Sequence, residues 1–132
     1  MRPNAPCPCS SGDKYKRCCG PLHRGAPAPS AERLMRSRFA AYALGLVDYV
    51  MDTQHPTGAI WRPDRAAWAA DLSRFCTETD FVRLRVLETG EQGGDATVTF
   101  EAQLRQRGRM APFVERSAFR LLDGRWMYLE AL

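Results

Sequence analysis

The sequence predicts an α+β protein, in which a small cysteine-rich N-terminal module precedes a domain of helices packed on a curved four-stranded antiparallel sheet. Three observations support this prediction. Four of the five cysteines lie between positions 7 and 19, apolar residues recur at helical spacing between positions 31 and 76, and the period changes to two after Asp80. Helices followed by strands that short turns connect are typical of the α+β class.

The composition is that of a globular protein. The chain has 132 residues, of which 45% are hydrophobic and 26% are charged, a balance that excludes a disordered chain. A chain of this length can bury one sizeable core without disulfides. No apolar run reaches the roughly 20 residues that span a bilayer, and residues 1–4 lack the apolar segment of a secretory signal. We therefore expect a cytoplasmic protein without a membrane span.

A change of composition divides the chain. Residues 20–29 contain three prolines and two glycines, which predicts a linker without a helix. The predicted units are a cysteine module over residues 1–22, a linker over residues 23–29 and an α+β domain over residues 30–132. We expect the module to stand apart from the domain behind this linker.

Two helical segments open the α+β domain. Ser30 is a good N-cap, and Glu32 lies in the first turn, where the helix dipole favours a carboxylate. The apolar spacing then predicts one helix of about five turns that stops near His55-Pro56. A second helix is predicted over about residues 63–77, since proline is tolerated in a first turn.

Four strands follow these helices. Alternating apolar residues begin at Val82, and turn signals lie at residues 91–95 and 107–109. Asp123-Gly124 is a hairpin turn of the type that requires positive φ. Residues 126–132 form the last predicted strand.

The cysteine cluster has the spacing of a metal site. Cys-Pro-Cys, eight intervening residues and Cys-Cys can place four thiolates around one ion if the segment between them turns back, and Gly12 can take the positive φ for that turn. A closed four-sulfur site leaves no open position for chemistry, so one structural zinc ion is expected, which would supply the folding energy of the module. Two disulfides, four free thiols or an iron–sulfur cluster are the alternatives. His23 is expected to be solvated or to serve as a spare ligand.

Positive charge is concentrated beside the cysteines. Residues 1–24 carry five basic side chains and one acidic side chain, whereas the rest of the chain balances 14 arginines against 14 acidic residues. We expect a docking surface for an acidic protein or RNA, with a solvated face as the alternative. The residues of this expected surface are Lys14, Tyr15, Lys16 and Arg17.

Residues 7–20 resemble a SEC-C motif, which is named for the C-terminal tail of the SecA translocation ATPase. The matching pattern is Cys-Pro-Cys-Ser-Ser-Gly, five residues and Cys-Cys-Gly. The usual motif has glycine at the position of Ser10, a departure that could strain the loop but touches no ligand. The resemblance implies docking to a protein or ribosomal partner. It also implies zinc ligation by Cys7, Cys9, Cys18 and Cys19.

The remainder of the chain resembles the YchJ family of uncharacterised bacterial proteins. The stretches that support this are residues 31–42, His55-Pro56 and residues 123–128. The resemblance implies a domain similar to nuclear transport factor two, a conical α+β fold with a pocket between sheet and helices. Since the family has no settled activity, the resemblance says little about function.

The candidate pocket residues leave two functions open. Arg38 falls near the apolar face of its helix, where a buried guanidinium needs a carboxylate or a ligand anion; its candidate partners are Asp48, Asp71 and Glu115. One function is a non-enzymatic adaptor that binds a small ligand and could dimerise through the sheet. The other is a small pocket enzyme acting on an apolar or anionic metabolite, although no catalytic motif stands out in the sequence. The pocket candidates are Arg38, Tyr42, His55, Trp68 and Trp126.

Overall fold

Helices come first along the chain and strands last, as the periodicity predicts. The computed structural model describes residues 2–132. A 3-10 turn covers Tyr15–Arg17. The helices are α1 (Cys19–His23), α2 (Ala31–Leu44), α3 (Val47–Asp52) and α4 (Arg65–Glu78), and the strands are β1 (Thr79–Gln92), β2 (Asp95–Gln106), β3 (Arg109–Leu122) and β4 (Arg125–Ala131). None of the helices in residues 2–132 is long and apolar enough to cross a membrane.

The strands form one antiparallel sheet in the order β1-β2-β3-β4. Asp123 and Gly124 take the positive φ values of 51° and 80° that their turn requires. A bulge between Phe81 and Arg83 bends β1 and leaves Val82 exposed. The predicted α+β class, with helices on a curved four-stranded antiparallel sheet, is confirmed.

The core lies between α2 and the inner face of the sheet. Side chains of α2 pack there against β2 and β3 because the apolar positions of the helix recur at helical spacing and those of the strands alternate. The core includes the large side chains of Leu34, Phe39, Val98, Phe100 and Phe119, each at most 4% exposed. Helix α4 covers the core less completely, because Trp68 is its only buried residue.

The helical region is more divided than the sequence predicts. The single helix expected between Ser30 and His55 breaks into α2 and α3, because Gly45 adopts a left-handed φ of 72° directly after Leu44. The predicted cap at Ser30 is present, since its hydroxyl accepts a hydrogen bond from the amide of Arg33 at 3.1 Å.

The expectation of a helix-free linker that separates the module is wrong in two respects. Helix α1 runs into this segment, with Pro21 early in the helix, where a missing N–H donor costs little. The module also packs directly on α2. Arg33 Nη2 donates to the carbonyl oxygen of Cys18, and Arg36 Nη1 donates to that of Cys9, both at 3.2 Å.

Candidate metal centre and cavity

Four cysteine sulfurs converge within the N-terminal module. Their Sγ atoms all lie within 4.8 Å of one another and all four side chains are buried. Sγ of Cys18 lies 3.6 Å from Sγ of Cys9 and 3.9 Å from Sγ of Cys19. A tetrahedral ion with sulfur ligands at about 2.3 Å requires sulfur–sulfur edges of about 3.8 Å. The sulfurs that are positioned to hold a metal ion are those of Cys7, Cys9, Cys18 and Cys19.

The clustered sulfurs are thiols rather than disulfides. All five cysteines of residues 2–132 are unbridged, and a disulfide would bring two sulfurs to about 2.05 Å. Hydrogen bonds from the thiols of Cys19 and Cys7 hold the pKa of Cys9 far below its usual value. Donation to Cys7 and Cys9 in turn raises the pKa of Cys19. Metal binding would therefore release the remaining thiol protons.

Two residues with left-handed backbone fold the segment between the cysteine pairs. Gly12 has φ of 89°, as predicted, and Ser10 has φ of 69°. Ser10, which replaces the usual glycine of the motif, therefore lies at a position whose backbone conformation favours glycine. The hydroxyl of Ser10 accepts a hydrogen bond from the amide of Leu84 at 3.1 Å. This contact ties the module to the edge strand β1.

His23 joins the module to the domain instead of lying in solvent. Its Nδ1 accepts a hydrogen bond from the hydroxyl of Tyr15 at 2.7 Å, and its Nε2 donates to the carbonyl oxygen of Ser37 at 2.8 Å. Both ring nitrogens are therefore engaged, which leaves none for a metal ion. Its ring also lies edge-on to Tyr49, with the ring centroids 4.7 Å apart. Burial lowers the pKa of His23, which favours the neutral imidazole that this arrangement needs.

The basic stretch beside the cysteines has an inner and an outer part. Tyr15 packs against the cysteine cluster, and its hydroxyl is bonded to His23. Lys14, Lys16 and Arg17 are exposed. The surface that a partner could reach at this stretch is therefore made of three positive charges.

A cavity of about 190 Å³ lies between α2 and the inner face of the sheet. Its walls are mainly aromatic and aliphatic, and it opens to solvent past Ile60, Phe75 and Phe113. Of the five predicted pocket residues, Arg38 and Tyr42 line it.

Arg38 is buried in this cavity wall without a carboxylate partner. The expected pairing with Asp48, Asp71 or Glu115 is wrong, because no Arg38 ion pair exists within residues 2–132. Its Nη1 instead donates to the carbonyl oxygen of Val50 at 2.8 Å and to Thr53 Oγ1 at 2.7 Å. The two aspartates are drawn into exposed ion pairs with arginines that lie nearer to them.

Glu115 and Tyr128 supply further polar groups to the cavity. Glu115 accepts hydrogen bonds from Ser117 Oγ at 2.6 Å and from the hydroxyl of Tyr128 at 3.4 Å. Burial, reinforced by the charge of Glu115, raises the pKa of Tyr128 to about 12. The face of the Tyr128 ring lies 4.6 Å from the guanidinium carbon of Arg38. Strand alternation places Glu115 on the same side as Ser117, and that pattern is the sequence signal for its inward position.

The other three predicted pocket residues lie outside the cavity lining. His55 is buried, its amide donates to the carbonyl oxygen of Tyr128 at 2.8 Å, and its Nδ1 accepts from Thr57. Trp68 is buried near the N-terminal end of α4, and Trp126 is part of the core.

The comparisons with known proteins agree with this architecture. Residues 30–131 match the family described as YchJ, middle NTF2-like domain, and residues 4–21 match the SEC-C motif. The chain belongs to the YchJ family. It is 43% identical over 131 residues to a UPF0225 protein of Deinococcus radiodurans, in a match that covers 98% of this chain and 90% of that protein. The resemblance to both parts of the family, stated from the sequence, is confirmed.

Two solved structures of SEC-C motif containing proteins are similar to this chain over most of its length. The protein from Rhodopseudomonas palustris is 40% identical, with a TM-score of 0.80, and the match covers 97% of this chain and 98% of that one. The protein from Psychrobacter arcticus is 25% identical, with a TM-score of 0.77, and the match covers 93% of this chain and 79% of that one.

Proposed function

We propose that this chain is a zinc-containing, non-enzymatic binding protein, whose zinc module docks to a protein or ribosomal partner and whose second domain binds a small ligand. The observation that carries the proposal is the closed four-sulfur site docked on a domain with a mainly apolar cavity. Unbridged cysteines are typical of a reducing compartment, so the proposal places the protein in the cytoplasm.

Zinc suits the donor set better than other metals. Four thiolates in a tetrahedron are a frequent structural zinc site, and zinc has no redox chemistry that would disturb a folding element. All four positions are taken by protein sulfur, so the ion would have no place for substrate or water. Its contribution would be to hold Cys7-Pro8-Cys9 and Cys18-Cys19 together and so to fold the module.

The exposed basic residues support partner docking through the module. Four thiolates and a divalent ion carry a net charge of about −2, which reduces the formal charge of about +4 on residues 1–24 to about +2. Lys14, Lys16 and Arg17 would then form the remaining positive face, which favours an acidic partner surface and a salt-sensitive interaction.

The groups in the cavity favour binding over catalysis. Tyr128, with its raised pKa, remains protonated at neutral pH, and an arginine remains charged. The alternative, an enzyme acting on an apolar or anionic metabolite, is favoured by one observation, which is that Glu115 and Tyr128 are hydrogen-bonded at the cavity. Glu115 would be its general base.

Metal analysis and partner capture test the proposal. Purified protein is expected to contain about one zinc per chain, and an iron chromophore would contradict the metal assignment. In a pull-down, joint replacement of Lys14, Lys16 and Arg17 by glutamate is expected to weaken partner capture. The matched control replaces Arg83, Arg85 and Arg109 by glutamate, since these exposed residues give the same change in charge on the sheet. Equal capture by both variants would remove the docking role.

Dimerisation through the sheet is a second prediction about partners. Met110 and Val114 of β3 are 47% and 61% exposed, and the same strand also presents exposed arginines. Light scattering coupled to size-exclusion chromatography measures the mass directly, and a monomer at about 100 μM would refute dimerisation.

A further inference from the structure

We propose that the cavity binds a small monocarboxylate, with the carboxylate group on Arg38 and a single ring or short alkyl chain among the aromatic side chains. The inference rests on the proposed function as a binding protein and specifies the chemical class of the ligand. Three features of the cavity lead to it.

The first feature is a buried positive charge that lacks a negative partner. Arg38 is 3% exposed, and no carboxylate within residues 2–132 lies within 4.0 Å of its guanidinium. Its hydrogen bonds to Val50 and Thr53 both use Nη1, and the Tyr42 hydroxyl is a further neutral partner, whereas a guanidinium carries five N–H donors in a planar fork. Burying a charge without a partner is costly, and the fork matches the two oxygens of a carboxylate. A ligand carboxylate would therefore supply the negative charge that the protein does not place beside Arg38.

The second feature is the size and chemistry of the space beside Arg38. The cavity measures about 190 Å³ and is lined by rings that include Phe39, Phe81 and Phe100. For scale, an apolar cavity of about 150 Å³ in another protein holds one benzene molecule. The space therefore suits an aryl acid or a short alkanoic acid, and it is too small for a nucleotide or a steroid.

The third feature limits the charge of the ligand. Glu115 also lines the cavity and has donors of its own in Ser117 and Tyr128. A second negative charge on the ligand would be repelled by Glu115, which disfavours phosphate dianions and dicarboxylates. A monoanion can place its one carboxylate on Arg38 and its ring or alkyl chain against the aromatic side chains, away from Glu115.

The mouth of the cavity offers an entry path for such a ligand. Ile60, Phe75 and Phe113 line it and are 44%, 37% and 40% exposed. They come from a loop, from α4 and from β3, so three separate elements present apolar side chains to solvent at one opening. A ligand body there would cover apolar surface that is otherwise left in water.

Benzoate and benzyl alcohol test the inference on the full metal-loaded chain, because they share the ring and differ in the charged group. We expect titration calorimetry and amide chemical shifts to give benzoate at least about 10-fold tighter binding than benzyl alcohol, the preference that charge-assisted hydrogen bonds provide. Arg38→Met is expected to remove this preference while benzyl alcohol binding stays within about threefold. Arg62→Met, at an exposed arginine, is the control and is expected to keep the preference.

The outcomes separate the ligand class from the proposed function. Equal affinity of the wild-type chain for the two probes would overturn the carboxylate assignment and leave a ligand-binding cavity in place. Binding of neither probe would overturn the inference together with the small-ligand part of the proposed function, while the zinc and docking parts would stand. Because Arg38 also holds Val50 and Thr53, Arg38→Met could unfold; the wild-type comparison decides the question without it.

Discussion

Loss of the metal is expected to lower the melting temperature of the whole chain and not only to unfold its first 20 residues. Cys18→Ser is the direct perturbation, because it removes one of the four clustered sulfurs, which lies 3.6 Å from Cys9 Sγ and 3.9 Å from Cys19 Sγ. Without the ion, the module has too few apolar side chains of its own to stay folded. Its contacts with α2 and β1 would then be lost as well.

The size of the effect follows from those contacts. Within residues 2–132, four hydrogen bonds join residues 9–23 to the domain, through Arg33, Arg36, Ser10 and His23. At about 1 kcal/mol net for each, their loss destabilises the domain by about 4 kcal/mol. An unfolding entropy of about 2.1 cal/mol/K per residue converts this into a drop of about 15 °C for a chain of this length.

Differential scanning calorimetry of the full chain measures this drop. The metal-loaded wild type is compared with a chelator-treated sample and with Cys18→Ser, while Cys76→Ser serves as the control because that half-buried cysteine lies outside the cluster. The control is expected to melt within about 3 °C of the wild type. If Cys18→Ser also keeps its main transition within about 3 °C, the module and the domain are independent and the reasoning is refuted.

Three further predictions concern the packing of single residues. Gly58→Ala is expected to cost about 3 kcal/mol, because a Cβ there would clash with the carbonyl oxygen of Leu129. The control Gly94→Ala meets nothing closer than 3.9 Å, and equal chemical denaturation midpoints of the two variants would contradict the prediction. Ser30→Ala is expected to cost about 1 kcal/mol by removing the cap of α2, and an unchanged urea midpoint would show that the cap is dispensable. The lowered pKa of His23 means that the unfolded chain binds its proton more readily, so stability should fall as pH drops below about 6.5, and less so in His23→Gln. If the free energy of unfolding falls equally with pH in the wild type and in His23→Gln, at full metal occupancy, His23 is not the group responsible.

The parts of the fold that could be predicted from the sequence are those that local chemistry determines. The cap at Ser30, the turn at Asp123-Gly124 and the alternation of β2 depend on near neighbours in the chain, and the structure shows all three. The break at Gly45 escaped prediction because the apolar spacing continues across it, and only the backbone shows the left-handed residue. The docking of the module escaped for another reason, since side chains on α2 bind carbonyl groups that no sequence pattern marks.

The same distinction applies to the site. The four cysteines lie within 13 consecutive residues, so their convergence needs only a local turn. The cavity instead combines residues of α2, α4 and four strands that are far apart in sequence. Amphipathic spacing indicated that Arg38 is buried, but its contacts with Val50 and Thr53 depend on how α3 folds back after Gly45.

Helix α2 forms a wall of both the metal module and the cavity, which predicts that the two sites are coupled. Arg36 and Arg38 are two residues apart, a rotation of about 200°, which places them on nearly opposite sides of the helix. Arg36 holds the backbone of Cys9, and Arg38 lines the cavity. A shift of α2 after metal loss would therefore move one wall of the cavity.

Chelation is expected to weaken benzoate binding by about three- to tenfold at 10 °C, and benzoate should tighten metal binding by the same factor, because thermodynamic linkage is reciprocal. Titration of the loaded and chelated proteins measures the first effect, and a chromophoric chelator measures the second. Identical benzoate affinity in a chelated chain that is still folded would show that α2 stays in place without the metal, and the coupling would be refuted.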